Sequence, residues 1–239
     1  MVTMRIYHIT YSPEVRTANL YFHGCDFYCL GCIRKKNPYD LCLKEKPDSW
    51  TRFLNLDEVL EILNRLGAKR AILLGGEPTL DSELPTLTME LHRNGIYNIL
   101  LTNGHKLDER LLESVDRICV SIKAYSKKLH KKYTGKSNER VLQNFEKIYR
   151  SGTPLSSESV YIPSLIETEE IEKIARFIAS IDPEIPYHID AYIPIDNRWR
   201  APTPKEIETA VAKAKMYLRN VTCLRGCEKL KYEVFNVYP

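Results

Sequence analysis

Three cysteines near the start of the chain, Cys25, Cys29 and Cys32, have residue types and a spacing that suit metal chemistry. Their C-x3-C-x2-C pattern directly follows the apolar, strand-like run at 19–22. A structural zinc ion normally has four protein ligands, and no second cysteine pair follows at zinc-finger distance. Thiolates at this spacing suit an iron–sulfur cluster, in which an incompletely ligated iron can bind a substrate. The pattern therefore predicts a metal centre with three protein ligands and one open position.

Further polar residues and glycines lie at the ends of later apolar runs or within them. In chain order they are Gly75, Gly76, Glu77, Asn103, Ser121, Lys123 and His188. A glycine after a strand is most often a turn residue, and a lone histidine in a strand is usually a core side chain. Ligands of parallel α/β folds, however, bind outside the carboxyl ends of the strands. Together these residues therefore predict one polar site.

The elements that would position this site alternate along the chain. Strands are predicted at 19–22, 70–74, 97–101, 117–122, 159–162 and 186–192. Helices are predicted at 55–66, 84–93, 107–115, 138–150, 167–181 and 203–218, the first and last with N-terminal capping residues. Six strands, most of them followed by a helix, predict an α/β fold with a parallel sheet. No flexible linker divides the chain, so residues 1–239 are expected to form a single domain.

Composition limits the class of protein. The chain has 239 residues, 44% hydrophobic content and a net charge of +4, which are ordinary values for a soluble globular protein. No apolar run approaches the roughly 20 residues of a membrane helix, and no secretory signal is seen, so a cytoplasmic protein without membrane partners is expected. Seven cysteines, three of them crowded together, argue against a disulfide framework. Basic clusters at 34–36, 127–128 and 131–132 make nucleic-acid binding possible without favouring it.

The cysteine spacing after the first strand and the Gly-Gly-Glu motif at 75–77 resemble the signature of the radical S-adenosylmethionine (radical SAM) superfamily. Within it the chain is most similar to the small activases of the pyruvate formate-lyase activating enzyme type. The segments that carry this likeness are 13–17, 121–123, 129–135, 186–189 and 202–204. The resemblance covers residues 12 to about 218 and implies a partial (β/α)6 TIM-like barrel, with 219–239 as a C-terminal extension.

The resemblance also implies a cofactor set. Cys25, Cys29 and Cys32 would ligate three irons of a [4Fe–4S] cluster, and the fourth iron would bind S-adenosylmethionine. The residues expected to bind this cofactor are Gly31, Ile33, Gly75, Gly76, Glu77, Asn103, Ser121, Lys123 and His188. No residue is assigned a certain catalytic role. An external one-electron donor of the flavodoxin or ferredoxin type would reduce the cluster, which would cleave S-adenosylmethionine to a 5′-deoxyadenosyl radical that takes hydrogen from a substrate.

The sequence departs from the family pattern at several positions. Gly31 replaces the aromatic residue that usually precedes the third cysteine, and Ser121 replaces an acid. The eight-cysteine, ferredoxin-like insertion of many activases is absent from this sequence. Cys42, Cys223 and Cys227 could instead hold an accessory cluster or zinc ion, although a single C-x3-C pair specifies little. Cys119, among the apolar residues of the fourth strand, is predicted to be a buried small hydrophobe.

Three functions remain open on the sequence. The first is an activating enzyme, a radical SAM oxidoreductase whose substrate is another protein. The second is a radical SAM enzyme that acts on a small molecule or RNA, as in deazapurine synthesis or tRNA modification, for which the loop at 34–50 and the basic clusters would serve. The third, which explains the cysteines but not the glycines, Lys123 or His188, is a non-enzymatic metal-binding interaction protein.

Overall fold

The computed structural model describes residues 3–47, 49, 52–226, 228 and 232–238. Its strands are β1 (Ile6–Ser12), β2 (Thr17–Phe22), β3 (Arg70–Gly75), β4 (Tyr97–Thr102), β5 (Arg117–Ser121), β6 (Leu155–Tyr161), β7 (Tyr187–Ala191), β8 (Val221–Leu224) and β9 (Phe235–Tyr238). Its α-helices are α1 (Leu56–Leu66), α2 (Leu84–Arg93), α3 (Lys127–Thr134), α4 (Glu139–Arg150), α5 (Thr168–Ile181) and α6 (Pro204–Ala214). Short 3-10 helices lie at Pro13–Val15, Ile33–Lys35, Pro78–Leu80 and Glu109–Glu113.

The strands form one sheet in the order β8-β7-β6-β5-β4-β3-β2-β1-β9. Neighbours from β2 to β8 pair in parallel, whereas β1 pairs antiparallel with β2 and β9 pairs antiparallel with β1. Helices between successive parallel strands supply the crossovers that parallel pairing requires. The predicted α/β fold class is therefore confirmed. Across the described residues, the parallel part of the sheet has seven strands rather than the six predicted.

The two faces of the sheet differ in character because side chains alternate along each strand. On β2, Ala18, Leu20 and Phe22 are at most 1% exposed and join the main hydrophobic core, to which the helices also contribute. Asn19 and Tyr21 lie on the opposite face, which we call the inner face. Farther along the sheet the inner face carries the polar side chains of the candidate site.

Two helices begin with the caps that the sequence predicts. Asn55 accepts a hydrogen bond from the Glu58 amide at 3.0 Å, and the Glu58 carboxylate accepts one from the Asn55 amide at 2.9 Å. Thr203 and Glu206 form the same reciprocal capping box at the start of α6, where Pro204 takes the first helical position. The predicted end of α6 near residue 218 is too late, because the helix ends at Ala214.

Several elements differ from the sequence prediction. β1, β8, β9 and α3 were not predicted, the predicted helix at 107–115 is the 3-10 helix Glu109–Glu113, and β6 begins at Leu155 rather than at 159. The residues of the predicted extension 219–239 include β8 and β9, which lie at opposite edges of the sheet. Within the described part of the chain, no helix is long and apolar enough to cross a bilayer.

Candidate functional site

The cysteine loop, residues 23–32, follows β2 and is held on one side by α3. The Tyr28 amide donates a hydrogen bond to the Thr134 carbonyl at 2.8 Å, and the Leu30 amide donates one to the Tyr133 carbonyl at 3.0 Å. These acceptors lie in the last turn of α3, where carbonyls have no partner within the helix. The helix therefore fixes the backbone on both sides of the second cysteine, Cys29.

Basic side chains hold the other side of the cysteine loop. Lys35 Nζ donates to the Cys29 carbonyl at 2.7 Å, and Arg198 Nη2 donates to the Leu30 carbonyl at 2.7 Å. Lys35 belongs to the 3-10 helix that begins directly after Cys32, whereas Arg198 comes from the segment after β7. Two parts of the chain far apart in sequence thus fix the same loop.

The three loop cysteines are free thiols, with Cys25 exposed and Cys29 and Cys32 half-buried. Although Cys25 as a whole residue is exposed, desolvation of its thiol by neighbouring atoms raises its pKa to about 11. Burial also raises the pKa of Cys29, although Lys123 opposes this rise. Iron–sulfur clusters bind cysteine as the thiolate, so cluster binding here would be coupled to loss of the thiol protons. The donor set fits iron–sulfur ligation.

The glycine turn after β3 lies directly against the cysteine loop. The Gly76 amide donates to the Phe22 carbonyl and the Glu77 amide donates to the Gly24 carbonyl, both at 2.7 Å. A Cβ atom on Gly76 would lie 2.1 Å from the Gly24 oxygen, and Gly75 has φ +110° with its Cβ position 2.8 Å from the Phe22 nitrogen. Only glycine permits this approach at both positions.

Glu77 joins the loops that follow β3 and β4. Its carboxylate accepts hydrogen bonds from the Thr79 hydroxyl at 2.7 Å, the Thr102 hydroxyl at 2.7 Å and the Asn103 amide at 2.6 Å. The side chain is buried, and burial raises its pKa against the effect of these donors. Its role in cofactor binding stays a prediction, and its observed contacts hold the turn.

Asn103 connects this turn to the cysteine loop. Its Nδ2 atom donates to Asp26 Oδ1 at 2.9 Å and lies 3.7 Å from Cys25 Sγ. His105 Nδ1 lies 2.6 Å from the other Asp26 oxygen. Asp26 and His105 were not predicted as site residues from the sequence, although Asp26 directly follows Cys25 and His105 lies two residues after Asn103.

The remaining predicted polar residues meet on the inner face of β5, β6 and β7. The sheet register places Ser121 beside Glu158 and Glu158 beside His188, and the Ser121 hydroxyl donates to the Glu158 carboxylate. His188 Nε2 lies 3.2 Å from Asp190 Oδ1. The hydrogen bond to Asp190 raises the pKa of His188, despite the opposing effect of burial.

Lys123 lies just beyond β5 and is half-buried near these acids. Burial lowers its pKa, but the Glu158 and Asp190 carboxylates, with the loop cysteines, raise the pKa above its ordinary value. The ammonium group is therefore retained at neutral pH. Glu158 and Asp190 were not predicted from the sequence. The signal that could have identified them is the alternation of side chains along β6 and β7, which places both acids on the same face of the sheet as His188.

The space beside Gly31 is filled by two tyrosines. A Cβ atom on Gly31 would lie 2.9 Å from Tyr192 Cε2 and 3.2 Å from the Tyr133 hydroxyl oxygen. Both tyrosines are buried, and they come from the segment after β7 and from α3. A side chain at position 31 would therefore require Tyr192 to shift, while Ile33 on the other side of Cys32 is half-buried.

The cysteines outside the loop have different surroundings. Cys119, predicted to be a buried hydrophobe, is half-buried on the inner face with its thiol 3.9 Å from Glu158, and burial raises its pKa to about 12. Cys42 is exposed, Cys223 packs against the core and Cys227 lies outside the described residues. Among the described residues, no three Cys, His, Asp or Glu side chains are grouped to hold a single metal ion. The accessory metal at Cys42, Cys223 and Cys227 stays a prediction without support.

Comparison with known proteins identifies the family. The model of the radical SAM superfamily matches residues 19–178. A candidate glycyl-radical enzyme activating enzyme of Methanocaldococcus jannaschii is 35% identical over 227 residues, which cover 92% of this chain and 84% of the relative. A candidate GTP 3′,8-cyclase of Methanococcus vannielii is 24% identical over 94% of this chain and 74% of the relative.

A solved structure shows the same fold. Streptococcus suis SuiB bound to S-adenosylmethionine superimposes with a TM-score of 0.64 and 17% identity over 89% of this chain. The match covers 47% of SuiB, so this chain spans about half the length of that protein. Together with the match of the family model, these similarities show that the chain is a radical SAM enzyme and belongs to the radical SAM superfamily.

Proposed function

We propose that the chain is an activating enzyme that removes a hydrogen atom from a protein, of the type that generates glycyl radicals. The observation that carries the proposal is the similarity to the Methanocaldococcus jannaschii activating-enzyme candidate, which covers 92% of this chain. The protein substrate, the external one-electron donor and the roles of individual residues are parts of this proposal. The donor would be of the flavodoxin or ferredoxin type.

The residues of the candidate site fit the cofactors that the family implies. Cys25, Cys29 and Cys32 would hold the [4Fe–4S] cluster, because they are free thiols on one short, well-anchored loop. The Gly76 backbone, which is partly exposed and has no side chain of its own, and the Lys123 ammonium would hold S-adenosylmethionine. When bound, these groups supply a one-electron reductive cleavage that yields a carbon-centred radical able to take hydrogen.

The side chains of the site would bind and orient S-adenosylmethionine and would exclude water from the cysteine loop. His188, held by Asp190 and by the Thr222 hydroxyl at 2.7 Å, is fixed in orientation on the inner face and would bind the polar part of S-adenosylmethionine. Tyr133 and Tyr192 close the side of the cysteine loop next to Gly31 and would exclude water there. Ser121 would act through Glu158, because its hydroxyl is already bonded to that carboxylate.

Anaerobic reconstitution tests the radical chemistry. With reductant and S-adenosylmethionine, the wild-type protein should release 5′-deoxyadenosine, and Cys29→Ala should abolish this product. Cys42→Ala removes an exposed cysteine outside the cysteine loop and should retain it. Tightly bound zinc, absence of iron and no cleavage in the wild type would instead indicate a metal-binding interaction protein.

The protein substrate needs a second experiment. Incubation with a glycyl-radical enzyme encoded beside the gene should give a protein-centred doublet in electron paramagnetic resonance, and deuterium at the target glycine should enter 5′-deoxyadenosine. The similarity to a GTP 3′,8-cyclase candidate favours a small-molecule substrate as the second hypothesis. Transfer of deuterium from a labelled nucleotide or RNA, with no protein partner present, would establish that alternative and contradict the activase proposal.

A further inference from the structure

We propose that the surface around the cysteine loop docks an electron-donor protein with an acidic surface. This surface, the basic face, consists of Lys35, Lys36, Lys128, Lys131 and Lys132, all of which are exposed. The inference rests on the proposed function, because a redox centre held by the cysteine loop needs an electron from outside the chain.

The basic face surrounds the cysteine loop on two sides. Lys35 and Lys36 follow Cys32 directly, and the Lys35 ammonium group is bonded to the Cys29 carbonyl. The other three lysines belong to α3, whose last turn holds the loop through the carbonyls of Tyr133 and Thr134. Both groups of lysines are therefore anchored to the backbone that carries the second and third cysteines.

The lysines of α3 occupy its solvent face and keep most of their charge unpaired. His130, Tyr133 and Thr134 form the buried face of the helix. Lys127 pairs with Glu139 at 2.6 Å. Among the described residues, no carboxylate lies within 4.0 Å of the ammonium groups of Lys128, Lys131 or Lys132, so this surface attracts anions.

Helix stability does not account for this arrangement. The N-terminal turn of a helix favours acidic side chains, and cations there are unfavourable. The first turn of α3 has no acid and begins with Lys127 and Lys128. The dipole explains Lys131 and Lys132 in the last turn, and Lys35 holds the Cys29 carbonyl, but Lys36 and Lys128 have no such structural reason. Binding of an acidic partner would explain all five.

Beside the basic face, the cysteine loop exposes an aromatic ring and one of its cysteines. Tyr28 is 72% exposed, and its ring lies 3.8 Å from the position of a Cβ atom on Gly135. Cys25 is also exposed. Docking here brings the donor close to the three cysteines. The donor is oxidised by one electron and the cluster is reduced by one electron, with no bond formed or broken. Opposite charges would speed this encounter and orient it.

Stopped-flow reduction of the reconstituted protein tests the proposal. The probes are a reduced flavodoxin of net negative charge and photoreduced 5-deazariboflavin, a small uncharged donor, with the cluster followed by absorbance. For K131E/K132E we expect the flavodoxin rate at low ionic strength to fall by about tenfold or more, while the deazariboflavin rate is unchanged. Added salt should lower the rate at which flavodoxin reduces the wild type, because it screens exposed charges. It should also reduce the difference in this rate between the wild type and K131E/K132E.

K69E/K215E is the matched control. It makes the same change of net charge at exposed lysines that precede β3 and β8, at the opposite ends of the strands from the cysteine loop. Its flavodoxin rate should stay within about twofold of the wild-type rate, as expected for charges far from the docking surface. Equal slowing of both variants, or a wild-type rate that does not depend on salt, would overturn the proposal.

Two further outcomes are informative. If K131E/K132E retains the flavodoxin rate but loses binding to a short RNA, the basic face binds nucleic acid and the proposal is wrong. Calorimetric binding of oxidised flavodoxin to each variant checks the surface without any need for catalysis. Loss of S-adenosylmethionine cleavage with both donors, together with selective flavodoxin binding, would contradict the proposed function while leaving the docking surface in place.

Discussion

At the scale of single residues, Gly76 is the position where side-chain size matters most. Gly76→Ala would place a methyl group 2.1 Å from the Gly24 oxygen, so the cysteine loop must move away from β3. We expect a loss of unfolding free energy of about 2 kcal/mol or more and less iron per chain after reconstitution. Gly152→Ala, where nothing lies within 4 Å of the Cβ position, should lower stability only through its positive φ and keep full iron content. Full iron binding by Gly76→Ala would refute the steric argument.

His8 makes stability depend on pH. Its ring is fully buried, and Nε2 lies 3.3 Å from the Asp40 amide while Nδ1 lies 2.8 Å from the Tyr238 carbonyl. Burial lowers its pKa, against the effects of Tyr238 and Asp40, while nearby Arg34 lowers it further. The unfolded chain therefore binds a proton more readily, and stability is lost as the pH falls below about 6.5, the ordinary histidine pKa.

Denaturant titrations of the wild type and His8→Gln at pH 8 and pH 5.5 measure this effect. The wild type should lose more unfolding free energy on acidification than the variant does. His130, whose pKa burial also lowers, is present in both proteins, so its contribution cancels in the comparison. Equal losses in the two proteins would mean that His8 does not carry the dependence.

At the scale of elements, Glu77 couples β3 to β4. Every group around its carboxylate is a hydrogen-bond donor, namely the Thr79 amide and hydroxyl, the Thr102 hydroxyl and the Asn103 amide. Glu77→Gln would turn an NH2 group toward one of the two backbone donors, and we expect a cost of about 2 kcal/mol in unfolding free energy. Glu61→Gln, on the exposed side of α1, should change it by less than about 0.5 kcal/mol. A similar small change in Glu77→Gln would show that the carboxylate is dispensable.

The individual strands and helices show how much of the fold could be predicted from the sequence. β3 and β4 were predicted because each contains a short run of consecutive apolar side chains. α1 was predicted because its capping residues and the helical spacing of its apolar side chains agree. The start of β6, Leu-Ser-Ser, was missed because its serines resemble a loop. In the structure, Ser157 donates to the Val120 carbonyl at 2.9 Å and Ser159 donates to the Ile122 carbonyl at 2.7 Å. This part of β6 is thus held by hydrogen bonds from serine side chains to the neighbouring backbone. A pattern of apolar residues cannot reveal such bonds.

The residues of the candidate site could be predicted where they lie close together in the sequence. They could not be predicted where only the pairing of strands brings them together. The cysteine triplet and the glycine turn are contiguous motifs, whereas Glu158 and Asp190 meet Lys123 only through strand register. α3 was missed because eight residues with four lysines and three buried side chains have little helical pattern of their own. Its position depends on the cysteine loop that it holds.

At the scale of the whole molecule, the two ends of the chain form one edge of the sheet. β9 pairs with β1, and the Tyr238 hydroxyl also donates to the Arg52 carbonyl at 3.0 Å. β8, which ends at Leu224, eleven positions before β9 begins, lies at the opposite edge. We propose on this basis that residues 1–239 act as a single domain. Removal of the C-terminal segment would take away the outermost strand at each edge and leave β7 and β1 as edge strands.

Deletion of the chain from Phe235 onward would remove β9 alone. β1 then becomes an edge strand with unpaired backbone groups, and His8 Nδ1 loses its bond to the Tyr238 carbonyl. We expect a loss of about 2–4 kcal/mol in unfolding free energy, faster amide exchange in β1 and concentration-dependent self-association through the exposed edge. Tyr238→Phe, which removes only the hydroxyl bond to Arg52, should retain wild-type exchange in β1. Amide hydrogen exchange in β1 and self-association by sedimentation are measured for the truncated chain and for Tyr238→Phe. Unchanged protection of β1 in the truncated chain would show that β9 does not stabilise this edge.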